Sequence, residues 1–197
     1  YQGGVSGKPI PRVWADLKLE GVKPPLEIHY WGHYTVADLE FDTDAPINVG
    51  LLSWAPFLPG NVKESVIPAI VFEVHLRNTL TEPQKGTIAF SFPGPTEQEA
   101  GTKTFVRQQV KGDFNGIEVK GNLADYALGV IGADNIRLGG ELGASSQAWV
   151  NIAKSPPVPD ESQSGASVAV AFNLNAGETR IVRFLVTWYS PTWNWIG

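Results

Sequence analysis

Residues 70–77 have the sequence IVFEVHLR, in which apolar side chains at every second position alternate with glutamate, histidine and arginine. A period of two places the apolar set on one face of a β-strand and predicts that this face is buried. Residues 87–92 repeat the pattern after a connection over residues 81–86, and a link of this length favours an antiparallel hairpin. Asn78 is predicted to open the polar turn between the two strands.

The C-terminal part of the chain contains a second pair of such segments. Residues 168–174 alternate, residues 175–178 form a turn, and residues 181–188 are apolar on both sets of positions. This pattern predicts another hairpin whose last strand is buried on both faces. Helical periodicity is confined to a short stretch around residues 96–100. Weaker strand patterns cover residues 12–19, 34–41, 47–53, 116–120, 126–131 and 147–152.

The composition favours an all-β protein. The 197 residues include 7 Trp, 9 Phe, 5 Tyr, 21 Gly and 15 Pro, a mixture typical of short aromatic strands separated by many turns. We therefore expect a two-sheet antiparallel β-sandwich with long loops that occupies residues 1–197 as a single domain. Residues 154–165, rich in proline, serine and acidic side chains, are expected to form an exposed loop.

Charge and hydrophobicity exclude several classes of partner. A net charge of −5 with scattered basic residues argues against nucleic acid and against an anionic membrane surface. No apolar run approaches the roughly 20 residues of a membrane span, so we expect a soluble protein. The chain has no cysteine and no signal peptide, which leaves its compartment open. Because it begins at Tyr1 and lacks methionine, we expect a fragment of a larger enzyme.

The most unusual segment, residues 29–34, has the sequence HYWGHY. Its rings are suited to stacking on sugars, and its two imidazoles are potential metal ligands, but packing within the domain or against another domain is the favoured explanation, with sugar contact second and a metal site last. His29 and His33 lack a third ligand at a recognised spacing, since Asp38 and Asp42 lie on the following strand. We expect no metal site and no cofactor.

No carboxylate pair is identifiable as catalytic from the sequence. Glu40, Asp42 and Asp44 form an acidic patch, and Glu97 and Glu99 fall in a loop, but solvated turns explain all of them. Neither a nucleophile elbow nor a nucleotide-binding glycine motif is present. We therefore predict no catalytic residue in this chain.

Four blocks of sequence resemble the N-terminal domain of glycoside hydrolase family 116, which includes the non-lysosomal glucosylceramidase. They are residues 29–41 (HYWGHYTVADLEF), 52–61 (LSWAPFLPGN), 65–78 (SVIPAIVFEVHLRN) and 176–178 (AGE). The resemblance implies a β-sandwich packed on a separate C-terminal (α/α)6 barrel that holds the nucleophile and the acid/base of a retaining β-glycosidase. No catalytic motif of the family matches a position in this chain, so no catalytic residue is carried over.

On this basis we expect a non-catalytic accessory domain of a β-glucosidase-like or glucosylceramidase-like enzyme. Its expected partner is the catalytic domain of the same polypeptide, and carbohydrate or glycolipid substrate is a further candidate. Two alternatives stay open, namely an autonomous carbohydrate-binding module and a structural domain that assembles through its sheet edges. The candidate residues for sugar or interdomain contact are His29, Trp31, His33, Tyr34, Trp54, Trp193 and Trp195.

Overall fold

The computed structural model of the protein describes residues 19–191. The strand expected over residues 12–19, except for its last residue, lies outside this range, as do Trp193 and Trp195. The described residues form eleven strands and three short helices. The strands are β1 (Glu27–His33), β2 (Val36–Asp42), β3 (Ile47–Trp54), β4 (Ala69–Asn78), β5 (Gln84–Phe92), β6 (Val106–Val110), β7 (Phe114–Lys120), β8 (Asp125–Ile131), β9 (Ile136–Gly139), β10 (Ala166–Leu174) and β11 (Thr179–Tyr189). The helices are α1 (Val62–Ser65), α2 (Glu97–Ala100) and α3 (Ser146–Val150).

The strands form two antiparallel sheets. A large sheet of eight strands has the order β1-β2-β3-β4-β11-β8-β7-β6, and a small sheet of three strands has the order β5-β10-β9. Every neighbouring pair is antiparallel. This architecture confirms the predicted two-sheet β-sandwich. None of the three helices in the described residues is long and apolar enough to cross a membrane.

The core lies between the small sheet and the central strands of the large sheet. Leu128 and Phe184 of the large sheet and Val168 of the small sheet are fully buried. The ring of Phe90 on β5 bridges the layers, with its centroid 4.5 Å from that of Phe72 on β4 and 5.6 Å from that of Phe184 on β11. Alternate positions of the small sheet and of the central strands of the large sheet therefore supply the core, as the period of two predicts.

Both predicted hairpins are wrong. β4 and β5 belong to different sheets, and so do β10 and β11. β4 pairs with β3 and β11, whereas β5 pairs with β10. A short connection can cross the roughly 10 Å between packed sheets as well as close a hairpin. The alternation is the same in both cases, so it does not choose between them.

The expectation that β11 is buried on both faces is also wrong. Val182, Phe184 and Val186 are buried against the core, but Ile181 and Arg183 on the opposite face are exposed. Only the inner face of the large sheet is covered by the small sheet, so apolar residues on the outer face of β11 stay accessible to solvent.

Asn78 links two of the connections that cross between the sheets, the one from β4 to β5 and the one from β10 to β11. It is the last residue of β4 and is fully buried, so the polar turn begins one residue later than predicted. Its Nδ2 donates to the carbonyls of Glu82 at 2.8 Å and Asn175 at 2.9 Å, and its Oδ1 accepts from the N–H of Leu80 at 3.0 Å. Its backbone N–H donates to the carbonyl of Glu178 at 3.0 Å. One side chain therefore fixes both crossings.

Most of the remaining predictions of single strands and helices are confirmed, and one is wrong. The strands expected over residues 34–41, 47–53, 116–120 and 126–131 are confirmed as β2, β3, β7 and β8, with small shifts at their ends. The short helix near residue 96 is confirmed as α2, which Thr96 and Glu99 close with a capping box. The strand expected over residues 147–152 is wrong, because Ser145 caps a helical turn, α3, at this position.

The segment over residues 154–165 contains no helix or strand and is tied to the large sheet. The guanidinium of Arg107 donates to the carbonyls of Asp160 and Gly165, both at 3.2 Å. The hydroxyl of Tyr126 donates to the carbonyl of Ser164. Burial raises the pKa of Tyr126 well above its usual range, so this hydroxyl stays protonated and keeps its donor.

Candidate functional site

A groove of about 470 Å³ opens at one end of the large sheet, beside the turn that joins β1 to β2. Gly32, Ala37 and Ser53 are successive register partners on three adjacent strands and line the groove. Aromatic rings with a few polar groups among them suit either a sugar ring or an apolar side chain of another protein. The other lining residues are Tyr30, His33, Tyr34, Thr35, Val36, Trp54, Ala55 and Ile70.

Gly32 allows the ring of Tyr30 to lie across the strand. A Cβ atom at position 32 would lie 1.8 Å from Oη of Tyr30, so any larger residue would displace this ring. Tyr30 and Gly32 are two residues apart on β1 and therefore share a face. The glycine of the HYWGHY segment therefore leaves room for the ring of Tyr30, and in this way it helps to shape the groove.

Exposed apolar side chains continue from the groove along the same end of the molecule. We call them the apolar end surface, and each is at least 44% exposed. Tyr34 meets Phe57 edge to face with ring centroids 5.5 Å apart, and the N–H of Trp188 donates to the carbonyl of Pro68 at 3.1 Å, which joins the two sides of the surface. The apolar end surface comprises Tyr34, Phe57, Leu58, Val62, Val66, Ile67, Trp188 and Tyr189.

The segment that carries most of this surface, residues 55–68, is held by its own polar groups. Asn61 caps α1 by accepting from the N–H of Glu64 at 3.2 Å. The hydroxyl of Ser65 accepts from the N–H of Leu58 at 2.9 Å and lies 2.8 Å from the carbonyl of Asn61. These hydrogen bonds hold the segment in place while its apolar side chains face solvent. A preformed surface of this kind loses less conformational entropy when a partner covers it.

On β1, the residues between those facing the groove form a second cluster. Nε2 of His29 lies 3.1 Å from Oδ2 of Asp42 and 4.0 Å from Oε2 of Glu27. The hydrogen bond to Asp42 raises the pKa of His29, partial burial opposes it, and the charges of Glu27 and Glu40 add to the rise. The ring of Trp31 stacks on the imidazole at a centroid distance of 5.8 Å.

Comparison with known proteins identifies the family. The family described as "beta-glucosidase 2, glycosyl-hydrolase family 116 N-term" matches residues 6–130, more than half of the chain. The chain belongs to this family. No curated protein matches it. A solved structure named "Putative kojibiose phosphorylase from human microbiome" is similar over 78% of this chain, at 9% identity and a TM-score of 0.41, and this chain spans 17% of that one.

The match places most of the site within the family 116 N-terminal region. Strands β1 to β7, the groove and residues 55–68 all fall within residues 6–130. Trp188 and Tyr189 lie beyond the matched residues, although they adjoin the same surface. The HYWGHY segment that carries the resemblance therefore coincides with the groove and with the His29 cluster.

The structure divides the predicted contact residues of this family 116 domain into two groups. His33, Tyr34 and Trp54 line the groove. His29 and Trp31 lie together at the side of β1 away from it. Trp193 and Trp195 lie outside the described residues. Sequence reasoning missed the apolar end surface and the contact of His29 with Asp42, because both depend on which strands are neighbours.

Two of the carboxylates that the sequence analysis considered, Asp44 and Glu99, have ordinary partners in the structure. Glu99 accepts hydrogen bonds from the backbone and hydroxyl of Thr96, which lower its pKa. The hydrogen bond and charge of Lys23 lower the pKa of Asp44. Both carboxylates therefore stay ionised near neutral pH, which does not suit a general acid.

Proposed function

We propose that this family 116 N-terminal domain is a non-catalytic accessory domain of a retaining β-glycosidase. It packs through the apolar end surface on a C-terminal (α/α)6 catalytic domain of the same polypeptide. Membership of the family supports the association with a glycoside hydrolase. The packing partner and the accessory role are inferences from the surface and from the resemblance to the family.

The apolar end surface is the observation that carries this proposal. Its eight members lie on segments that meet at one end of the large sheet, whereas Leu26, Val150 and Val158 are exposed on other segments. Isolated exposed apolar residues are normal on a soluble domain, but a contiguous patch marks a binding surface. A preformed apolar surface of this kind is suited to packing against another folded domain.

The direction of the chain supports a partner in the same polypeptide. β11, the last strand of the large sheet in chain order, ends at Tyr189, which is itself part of the apolar end surface. Polypeptide that follows β11 therefore starts beside this surface. A domain tethered there has a high effective concentration, so even a modest apolar contact keeps it docked.

The first test is the coding sequence downstream of Gly197. We expect a long helical region with paired candidate carboxylates, and a stop codon or an unrelated module would contradict the proposal. The 197-residue chain alone is expected to hydrolyse no aryl β-glucoside. Turnover that disappears on replacement of a single carboxylate of this chain would refute the non-catalytic role.

The second test probes the surface in the intact polypeptide. We expect the double variant Val62→Ser, Val66→Ser to lose about 1–3 kcal/mol of docking free energy, because partly burying a valine side chain contributes on the order of 1 kcal/mol. Amide hydrogen exchange over residues 55–68 should rise. The matched control is Val150→Ser, Val158→Ser, which changes two exposed valines outside the surface. Equal exchange in the two double variants would contradict docking at this surface.

An autonomous carbohydrate-binding module is the second candidate, favoured by the 54% exposure of Trp31. The other rings fit it less well. Trp54 is only partly exposed, and Tyr34 and Phe57 are inclined at 78° to each other rather than forming a flat row. Saturable binding of a neutral oligosaccharide by the isolated chain in calorimetry, lost in Trp31→Ala, would favour this candidate over the first.

A further inference from the structure

Three side chains of the β1–β2 hairpin bring potential metal ligands together. One nitrogen of His29 and one carboxylate oxygen each of Glu27 and Asp42 all lie within 4.8 Å of one another. The same atom, Nε2 of His29, faces both carboxylates, at 3.1 and 4.0 Å. Among the described residues, no lysine or arginine forms an ion pair with Glu27 or Asp42, and the ion-pair partner of both carboxylates is His29.

The strand register explains why these side chains meet. Glu27 and Asp42 are directly opposite in the β1–β2 pairing, and His29 is two residues from Glu27 on the same face. Two like charges directly opposite in an antiparallel pair are destabilising. Residues 27–42 contain four carboxylates and no lysine or arginine, so nothing in the hairpin except histidine offsets them. A bound cation would remove this repulsion.

We propose that Glu27, His29 and Asp42 form a binding site for a divalent transition-metal cation of the Zn²⁺ type. At Zn–ligand distances of about 2.0–2.2 Å, neighbouring ligand atoms of a tetrahedron are roughly 3.3–3.5 Å apart. The observed 3.1 and 4.0 Å bracket this spacing. The carboxylate side chains are 60% or more exposed, so rotations that shift an oxygen by less than about 1 Å meet no packing barrier.

The ligand set selects among cations. One imidazole nitrogen with two carboxylate oxygens suits Zn²⁺ and its neighbours, whereas Ca²⁺ and Mg²⁺ prefer oxygen ligands alone. Three protein ligands leave a fourth position for water. The ring of Trp31 lies beside the imidazole, with the two ring planes inclined at 26°. The bound ion would join β1 to β2 at the outer edge of the large sheet.

The test uses the purified 197-residue chain, metal-free, with Zn²⁺ in calorimetry and Co²⁺ as an absorption probe. We expect one Zn²⁺ per chain, and a tetrahedral Co²⁺ spectrum that Zn²⁺ displaces. His29→Ala should weaken Zn²⁺ binding more than about tenfold, since even residues that only support a ligand cost that much. Asp42→Asn should weaken it in the same direction. His33→Ala is the matched control, because it removes an exposed histidine of the same strand outside the trio.

Thermal unfolding gives a second readout. Zn²⁺ should raise the Tm of the wild type and of His33→Ala through binding to the folded state, and leave that of His29→Ala unchanged. The absence of Zn²⁺ binding at millimolar concentration would overturn the proposal. So would binding that His29→Ala leaves intact, or that is lost equally in His33→Ala. Because all the substituted side chains are at least partly exposed, the variants should fold, and circular dichroism verifies this.

Discussion

Replacing Asn78 with alanine removes the side chain that fixes two crossings between the sheets, β4 to β5 and β10 to β11. Nδ2 donates to the carbonyls of Glu82 and Asn175 at 2.8 and 2.9 Å, with a longer contact of 3.3 Å to Leu174, and Oδ1 accepts from Leu80 at 3.0 Å. Three good hydrogen bonds at about 1 kcal/mol each, with part of the partners left buried and unpaired, give a loss of about 3–5 kcal/mol. For a chain of this size the Tm should fall by roughly 10 °C.

The assay is urea unfolding followed by tryptophan fluorescence, with circular dichroism as a second probe of two-state behaviour. We expect a lower midpoint at an unchanged slope, because the folded and unfolded surfaces stay nearly the same. Asn78→Asp should cost at least as much at pH 7, since a buried carboxylate would face carbonyl oxygens in place of the lost donor.

The matched control is Asn173→Ala, which removes an exposed asparagine of β10 close to the same end of the small sheet. Its effect should stay within about 0.5 kcal/mol, as for other surface substitutions. A loss below 1 kcal/mol in Asn78→Ala, on the same order as the control, would show that water replaces these hydrogen bonds and would refute the reasoning.

Two further predictions concern the groove and the helix cap. Gly32→Ala should force the ring of Tyr30 out of the groove and change its ring NMR shifts, at a stability cost below about 1 kcal/mol because the ring is exposed. Gly50→Ala, whose Cβ would meet its nearest neighbour at 3.6 Å, is the control, and unchanged Tyr30 shifts in Gly32→Ala would contradict the description of the groove. Glu99 has a lowered pKa in the folded state, so its contribution is present above pH about 4.5 and is lost as pH falls through the folded value. Glu99→Gln should therefore cost below about 1 kcal/mol at pH 7 and progressively less in acid, and a pH-independent difference in urea unfolding would contradict the cap.

The sequence predicted correctly the strands whose apolar and polar residues alternate clearly. The alternation in residues 70–77 correctly identified β4 and its buried face, and similar patterns identified β2, β3, β7 and β8. The signal is reliable here because burial of one face of a strand imposes a period of two on the chain itself. Where a cap competed with a weak alternation, as at Ser145 before α3, the pattern gave the wrong element.

The pairing of the strands could not be predicted from the sequence. Two strands that are hydrogen-bonded in one sheet and two strands that face each other across the core both require apolar residues at alternate positions. The sequences of β4 and β5 therefore do not show that the two strands lie in different sheets. One partner of β4 is the preceding strand β3, but the other, β11, comes from a distant part of the chain. Asn78, which contacts two crossings between the sheets, resembles an ordinary turn residue in the sequence.

The sequence by itself determined the sandwich class and the family resemblance, and it identified the HYWGHY segment as unusual, because these depend on residue type and local spacing. Only the tertiary structure decided which residues that segment contacts. The β1–β2 register places Asp42 beside His29, and the return of β11 to the end of the large sheet brings Trp188 next to Pro68. The hydrophobic pattern of the sequence does not indicate either contact, because it does not say which strands are neighbours. Only the folded structure brings these residues together.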